Sequence, residues 1–280
     1  MRQNNPLVSV IVPTYNSANN LKDLLKSCIE SDFNDFEIII NDDIRTNDNT
    51  IKIINKFAKK GLSIIYKMKN ISMAQARKKG AEYAKGKYIM HLDSDMKMSK
   101  RLLRECIDQI KTGNDALVIP EESFGTTFWA RCKWLEKKCY EGVEQIESLR
   151  FLKTKIYNKI GGHNSKMIFS EDKDLDLRVR VAGYNVGRVK NVLYHNEGRL
   201  FLVTTLKKKL GYVHTANIFA EEHPEAFRWQ VNIFKRYAIY LKHIKYLLTH
   251  PLLYIGMIFM KTMEFIFAGI GLLISRIRKN

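Results

Sequence analysis

The side chains best suited to chemistry in this chain are carboxylates set close together: Asp93 and Asp95 on either side of Ser94, Asp42 beside Asp43, and Glu171 beside Asp172. A turn that starts at a strand end can aim two acids set one residue apart at a single ion. Mg²⁺ or Mn²⁺ prefers a few carboxylate oxygens, with phosphate oxygens and water filling the remaining positions. Such an ion serves the departure of a diphosphate, because negative charge grows on the leaving group as its bond breaks. Asp93 and Asp95 could hold the ion against it. The acid-rich loop 42–50 does not read as an EF-hand, since counting from Asp43 places Asp48 where glycine is required and Ile54 where glutamate should be.

Those acids need elements to position them. Residues 8–12 are an apolar run closed by Pro13, and residues 37–40 are another closed by Asn41, Asp42 and Asp43, which predicts two buried strands. Between them Leu21, Leu24, Leu25, Cys28 and Ile29 recur at helical spacing. A helix around Ile51, Ile54 and Phe57, a strand at 62–66 and a helix at 73–84 follow. A strand at 87–92 then runs directly into Asp93-Ser94-Asp95. Further along, a helix near 100–110, a strand at 116–120, an aromatic and basic segment at 124–140 and a compact block at 147–176 precede a last strand, 186–193, leading to His195. Strands alternating with amphipathic helices make an α/β fold with a doubly wound, mostly parallel mixed sheet. Ligands of such sheets sit beyond the carboxyl ends of the strands, where Thr14-Tyr15-Asn16, Asp42-Asp43 and Asp93-Ser94-Asp95 all fall.

With 280 residues and 45% hydrophobic content the chain can bury a substantial core. Its net charge of +18 favours polyanionic partners. Nucleic acid ranks last among them, because the acids at the crevice would repel its phosphates. From residue 199 onward there are 13 Lys and Arg against 4 Asp and Glu, and the longest apolar stretch lies there too, a pairing that points to lipid. Residues 252–260 and 265–274 are apolar runs broken by Lys261-Thr262-Met263-Glu264. Each run alone reaches about 15 Å, half of a hydrocarbon core of about 30 Å. A central lysine penalises a single span, so a re-entrant hairpin or an in-plane helix is expected. Basic residues flank both ends, Lys242 and Lys245 before and Arg276, Arg278 and Lys279 after, so charge sets no direction. Lys207, Lys208 and Lys209 lie on a helix with Leu206 and Leu210, where they could draw anionic lipid or an isoprenoid phosphate. Cys28, Cys106, Cys132 and Cys139 have no metal-finger spacing, and the N-terminus is polar, so reduced cytosolic thiols are expected.

Over residues 6–198 the order and spacing of several motifs resemble the family 2 glycosyltransferases, which have the GT-A type of fold. The motifs are Val10-Ile11-Val12-Pro13-Thr14-Tyr15-Asn16, Glu37-Ile38-Ile39-Ile40-Asn41-Asp42-Asp43, Ala76-Arg77-Lys78-Lys79-Gly80, Asp93-Ser94-Asp95, and Glu171-Asp172 leading into Asp174-Leu175. The resemblance implies that Pro13, Thr14, Tyr15 and Asn16 pack against the nucleotide. Asp42 or Asp43 would accept from the imide N–H of uracil, which makes a UDP-sugar the expected donor. Arg77, Asp93 and Ser94 would lie by the diphosphate, with Mn²⁺ or Mg²⁺ held by Asp93, Asp95 and, as a third ligand, His195. Asp172 matches the family's second acid and would be the general base of an inverting displacement. Glu171 is either the base itself or a residue that orients the acceptor, and Gly161-Gly162 would border the acceptor pocket. The loop 42–50 departs from the family, lacking its common glycine and running one residue longer.

The expected organisation is a catalytic, nucleotide-sugar-binding domain over residues 1–198, a basic helical extension over 199–250 and an apolar membrane-associating segment over 251–280. The acceptor would be a lipid-linked or membrane-presented glycan at the cytoplasmic face of the cell membrane, with the apolar segment alternatively serving a homo-oligomer. A different class of reading is a membrane-tethered sugar-nucleotide-binding protein without catalysis.

Overall fold

The computed structural model describes residues 5–69, 72–167 and 170–277. The chain forms two compact units. The first takes in the chain up to Pro120, then Ser148–Lys166 and Glu171–Tyr194, and the second takes in Glu121–Glu147 and the chain from His195 onward.

In the first unit β1 (Val8–Thr14), α1 (Ala18–Ile29), β2 (Phe36–Asp43), α2 (Thr50–Ala58), β3 (Ile64–Lys69), α3 (Met73–Ala81) and β4 (Tyr88–His91) alternate as the apolar periodicity predicts. After them come β5 (Met96–Met98), α4 (Leu102–Lys111) and β6 (Ala116–Val118). The chain then builds β7 (Glu121–Phe124) and α5 (Phe128–Tyr140) of the second unit. It returns with β8 (Leu149–Lys153), α6 (Thr154–Lys159), α7 (Glu171–Val181) and β9 (Val186–Arg188), and β10 (Leu193–Asn196) leads out of the first unit.

The main sheet has the order β3-β2-β1-β4-β8-β6-β9. β1 is parallel to β2 and β4, β2 to β3, and β6 to β9, while β8 runs antiparallel to both β4 and β6. Both faces are covered, so the strands read as unbroken apolar runs. Val8, Val10, Val12, Ile38, Ile40 and Met90 pack on one side with α1 and α4 residues, and Ile11, Ile39, Ile89, Leu152 and Leu175 on the other. The β1–β2 register sets Thr14 opposite Asp42, which brings the polar strand ends level. Gly80 lets α3 lie close on the sheet, because a Cβ there would stand 2.6 Å from Ile11 Cγ2.

Two differences from the sequence expectation concern this unit. The block 147–176 contains a central strand, β8, whose five residues carry too short a pattern to separate from its surroundings. The single strand expected at 186–193 is two, β9 and β10, because Glu105 accepts from the backbone N–H of Lys190 and of Asn191, each at 2.8 Å, and pulls the chain into a turn.

The second unit is helical: α8 (Leu202–Glu222), α9 (Pro224–Val231), α10 (Ile233–Lys242), α11 (Lys245–Thr249) and α12 (Pro251–Ile277) join α5. Leu253, Tyr254, Met257 and Met260 of α12 bury against Cys132, Leu135, Cys139 and Tyr140 of α5 and Tyr240 of α10. The residues that interrupt the apolar stretch are paired. Lys261 Nζ lies 2.6 Å from Glu136 Oε1 and 3.0 Å from Glu264 Oε2, Lys133 holds the other Glu136 oxygen at 2.7 Å, and Lys209 approaches Glu264 at 3.6 Å. The re-entrant hairpin is therefore replaced by one continuous helix: its two charges end on partners from α5 and α8 and require no turn. By length and composition Pro251–Ile274 could cross a membrane, with a mean hydropathy of 1.8. Leu252, Ile255, Phe259, Ile266, Ile270 and Leu273 are exposed along it. Arg278 and Lys279 lie outside the described residues.

Candidate active site

Three strand ends meet through side-chain hydrogen bonds. At the end of β1, buried Thr14 donates to Asp42 Oδ1 at 2.7 Å. Asp42 also accepts from Thr46 Oγ1 (2.8 Å) and Tyr66 OH (3.0 Å), so three hydroxyls close around a carboxylate that is almost wholly buried. Asp43 turns instead to Arg45, which donates from Nε at 2.8 Å, from Nη2 at 2.5 Å and from its backbone N–H at 2.9 Å. That pairing holds Asp43 down at a pKa of about 2. Arg45 also stands over the exposed ring of Tyr15, 5.6 Å from its centroid. Pro13 is buried in the strand, and Asn16 takes a positive φ of 46° with its Oδ1 accepting from the Asn47 N–H at 2.9 Å. From the loop that enters α1, Ser17 Oγ reaches Ser94 Oγ at 2.9 Å, which ties the first strand end to the third.

At that third end the chain leaves β4 and turns, with the Met96 N–H donating to the Asp93 carbonyl at 3.0 Å. Asp93, Ser94 and half-buried Asp95 occupy the turn. Arg77 of α3, 3% exposed, is the hub. Its Nη2 donates to Asp93 Oδ1, its Nη1 donates to Glu171 Oε1 at 2.5 Å, and its Nε lies 3.8 Å from Asp172 Oδ1. Arg150 of β8 donates to Asp93 Oδ2 at 3.3 Å and comes within 3.8 Å of Asp172 Oδ2. The two acidic motifs, nearly eighty residues apart in the chain, thus share two guanidinium groups.

Glu171 and Asp172 open α7, where acids suit the positive end of the helix dipole. Asp174 and Asp176 on the same helix are buried ties. Arg178 grips Asp174, Lys173 and Arg180 grip Asp176, and Asp176 also accepts from the Leu149 N–H at the start of β8. Three carboxylates facing two guanidinium groups leave one negative charge uncompensated. Burial and the neighbouring Asp172 charge push Glu171 up to about 7. Burial also opposes charge on Asp172, but Arg77, the hydrogen bond from His163 and Arg150 outweigh it and hold that carboxyl well below the usual range.

Arg150, His163 and Tyr157 were not among the residues singled out by sequence. Arg150 was hidden by the missed strand β8. His163 follows Gly161-Gly162, and that adjacency to a marked turn was the one available signal.

The donor set on the turn is chemically right for a hard divalent cation, with carboxylates at 93 and 95. Asp93 already has a guanidinium at each oxygen, Arg77 at Oδ1 and Arg150 at Oδ2. His195 belongs to the second unit, where its Nδ1 lies 3.6 Å from Glu121 Oε2 and 3.9 Å from Glu197 Oε1.

A mixed, mostly parallel sheet with acidic strand ends, an acidic turn after β4 and an acid pair opening α7 is the arrangement of a GT-A type fold. The solved mannosyltransferase PcManGT from Pyrobaculum calidifontis, in complex with GDP-Man and Mn²⁺, matches 97% of this chain and 88% of its own with a TM-score of 0.68 at 15% identity. S. aureus TarS in complex with UDP-GlcNAc matches 96% of this chain and 91% of its own, with a TM-score of 0.56 at 16% identity. The family model for glycosyl transferase family 2 matches residues 9–169, and the chain belongs to that family. Among curated relatives, the cholesterol galactosyltransferase of Borreliella burgdorferi is 32% identical over 112 residues, 40% of this chain and 31% of that one. The chain spans less than half the length of the first such relatives it matches.

Proposed function

We propose that the chain is an inverting, divalent-metal-assisted glycosyltransferase that moves a hexose-type sugar from a UDP-sugar to a lipid-linked or membrane-presented acceptor. The observation that carries this reading is the gathering of Asp93, Glu171 and Asp172 around Arg77, with leaving-group and acceptor chemistry at one place. In it, Pro13, Thr14, Tyr15 and Asn16 line the nucleotide. Asp43 takes the base N–H in preference to Asp42, because its partner Arg45 is exposed, whereas three hydroxyls enclose Asp42. Arg77 and Ser94 lie on the diphosphate side. Mn²⁺ or Mg²⁺, held by Asp93 and Asp95, would neutralise charge on the departing diphosphate.

The acceptor hydroxyl attacks the anomeric carbon from the face opposite the diphosphate. A new C–O bond forms as the bond to the phosphate oxygen breaks, UDP leaves with the electron pair, and Asp172 takes the hydroxyl proton. Glu171 steadies Arg77, and through it Asp93. Residues 1–198 would carry the catalytic work, 199–250 the basic extension and 251–280 the membrane contact. Paired charges on the inner face of α12 and apolar residues on its outer face support a helix lying on a membrane surface, which the proposal puts at the cytoplasmic face. The cholesterol acceptor in the name of the Borreliella relative is of the same hydrophobic class.

The test is release of UDP or GDP from a panel of nucleotide-sugars with Mn²⁺ or Mg²⁺, followed by ¹H NMR of the sugar first released from an α-linked donor. Metal-stimulated UDP release giving the β-anomer first is the expected result. Tight donor binding with no turnover of any donor would favour the non-catalytic binding reading.

A further inference from the structure

The first unit holds a buried chain of polar groups that sequence motifs did not mark and that ends on Asp172. Tyr157 of α6 and His163 are 2% and 1% exposed. The backbone N–H of His163 donates to the Tyr157 hydroxyl oxygen at 3.2 Å, and the same hydroxyl lies 3.1 Å from His163 Nδ1. On the other side of the ring, His163 Nε2 lies 3.2 Å from Asp172 Oδ1. A hydroxyl oxygen that accepts from the backbone can still give its own proton, and the acceptor within reach is Nδ1. Nδ1 therefore carries no hydrogen in the neutral ring, and Nε2–H points at the carboxylate.

The packing leaves this arrangement little freedom. Gly162 has φ +66°, and a Cβ on it would come within 2.7 Å of the Tyr157 ring carbons Cε1 and Cζ and 2.9 Å of the hydroxyl. The glycine is what lets the loop fold back so that His163 and Tyr157 bond to each other twice. His91 closes the ring's far side, edge-on at 4.5 Å between centroids. Burial lowers the His163 pKa, in keeping with a neutral imidazole.

We propose that His163, with its tautomer fixed by Tyr157, is a positioning residue for Asp172. It occupies Oδ1 through Nε2–H and so leaves Oδ2 to face the acceptor hydroxyl. Three groups from three places face this carboxylate: Arg77 from α3, Arg150 from β8 and His163 from the loop after α6. His163 is the nearest. The two arginines supply charge but are shared with Asp93 and Glu171, whereas the imidazole is directed at Asp172. This role rests on Asp172 as the base, as proposed above.

The test uses the full chain and the variants His163→Phe, His163→Gln and Tyr157→Phe, each checked for native circular dichroism and thermal unfolding. Long-range ¹H–¹⁵N correlation spectra at neutral pH, with the His163 signals identified by their loss in His163→Gln, should show a neutral ring protonated on Nε2. A ring protonated on Nδ1, or an imidazolium, would overturn the proposal. This readout needs no turnover, so it stands apart from the functional reading. Kinetics follow with UDP-N-acetylglucosamine and UDP-glucose, read as UDP release. In His163→Phe, kcat should fall by up to about a hundredfold, the loss that follows a small misplacement of a reacting group. Its donor KM should stay within about twofold, since ground-state donor binding is not touched. Glutamine reaches as far as Nε2 with an N–H donor, so His163→Gln should recover most of the rate, and Tyr157→Phe should fall between the two. Unchanged kcat in His163→Phe, or equal loss in His163→Gln, would overturn the positioning role. Absence of UDP release by the unmodified chain would count against the proposed function and leave the spectroscopic result to be judged by itself.

Discussion

At the scale of single residues, the acids are distinguished by their partners more than by their motifs. Glu171 and Asp172 are adjacent, yet one is pushed up to about 7 and the other is held low, because Arg77, His163 and Arg150 converge on the second. Below about 7 Glu171 is protonated and gives up its charged pair with Arg77, and above it the pair is intact. The pH profile of kcat/KM should therefore carry an ionisation near 7 with activity rising towards higher pH, and Glu171→Gln should abolish that limb. A limb that survives in the variant would assign the ionisation elsewhere. Asp42 and Asp43 separate in the same way. Asp42→Ala strands the hydroxyls of Thr14, Thr46 and Tyr66 and should cost about 1–3 kcal/mol in urea unfolding. Asp43→Asn should leave stability nearer to wild type and weaken UDP binding measured by calorimetry. The opposite pattern would move the base contact to Asp42. The acids at 42–43 and 93–95 were legible in sequence because their residue types are scarce choices at strand ends, whereas Glu171-Asp172, which opens α7, was marked only by its motif. Arg150 and His163 were not, because a basic residue in an unmarked strand and a histidine after two glycines carry no spacing signal of their own.

At the scale of elements, the first half of the main sheet could be read directly: continuous apolar runs, each ended by polar residues, alternate with helices of clear 3.6 periodicity. β8 escaped because it inserts antiparallel between β4 and β6, a placement set by partners distant in sequence. The apolar C-terminus misled for a related reason. Lys261 and Glu264 look like a break when read alone, and only Glu136 on α5 and Lys209 on α8 show why the helix can run through them. Breaking such a buried pair leaves an uncompensated charge and typically costs about 3–5 kcal/mol. Lys261→Met should destabilise the chain by that order in denaturant unfolding, and adding Glu136→Gln should recover a good part of the loss. A single variant as stable as wild type would show that the network contributes nothing to α12's seat.

At the scale of the whole molecule, net charge +18 and the exposed apolar residues of α12 make a distinct prediction about where the chain works. Removing α12 outright would also strip the core shared with α5, so point substitutions are the cleaner probe. Ile255→Glu with Phe259→Glu should release the protein from vesicles containing anionic lipid in a flotation assay while leaving UDP-sugar hydrolysis intact. Undiminished flotation would place the membrane contact elsewhere or remove it. One site is proposed to manage a metal-bound diphosphate through Asp93 and Asp95 and to activate an acceptor through Asp172. The most direct measurement is UDP release from the preferred donor across a Mn²⁺ titration in the unmodified chain, Asp95→Ala and Asp172→Asn. Saturable metal dependence is expected in the unmodified chain, with a large loss of metal response in Asp95→Ala and, in Asp172→Asn, unchanged donor binding with kcat lower by about 10²- to 10⁴-fold, the usual contribution of a general base. Wild-type turnover in Asp172→Asn, or release indifferent to metal and to Asp95, would contradict the proposal.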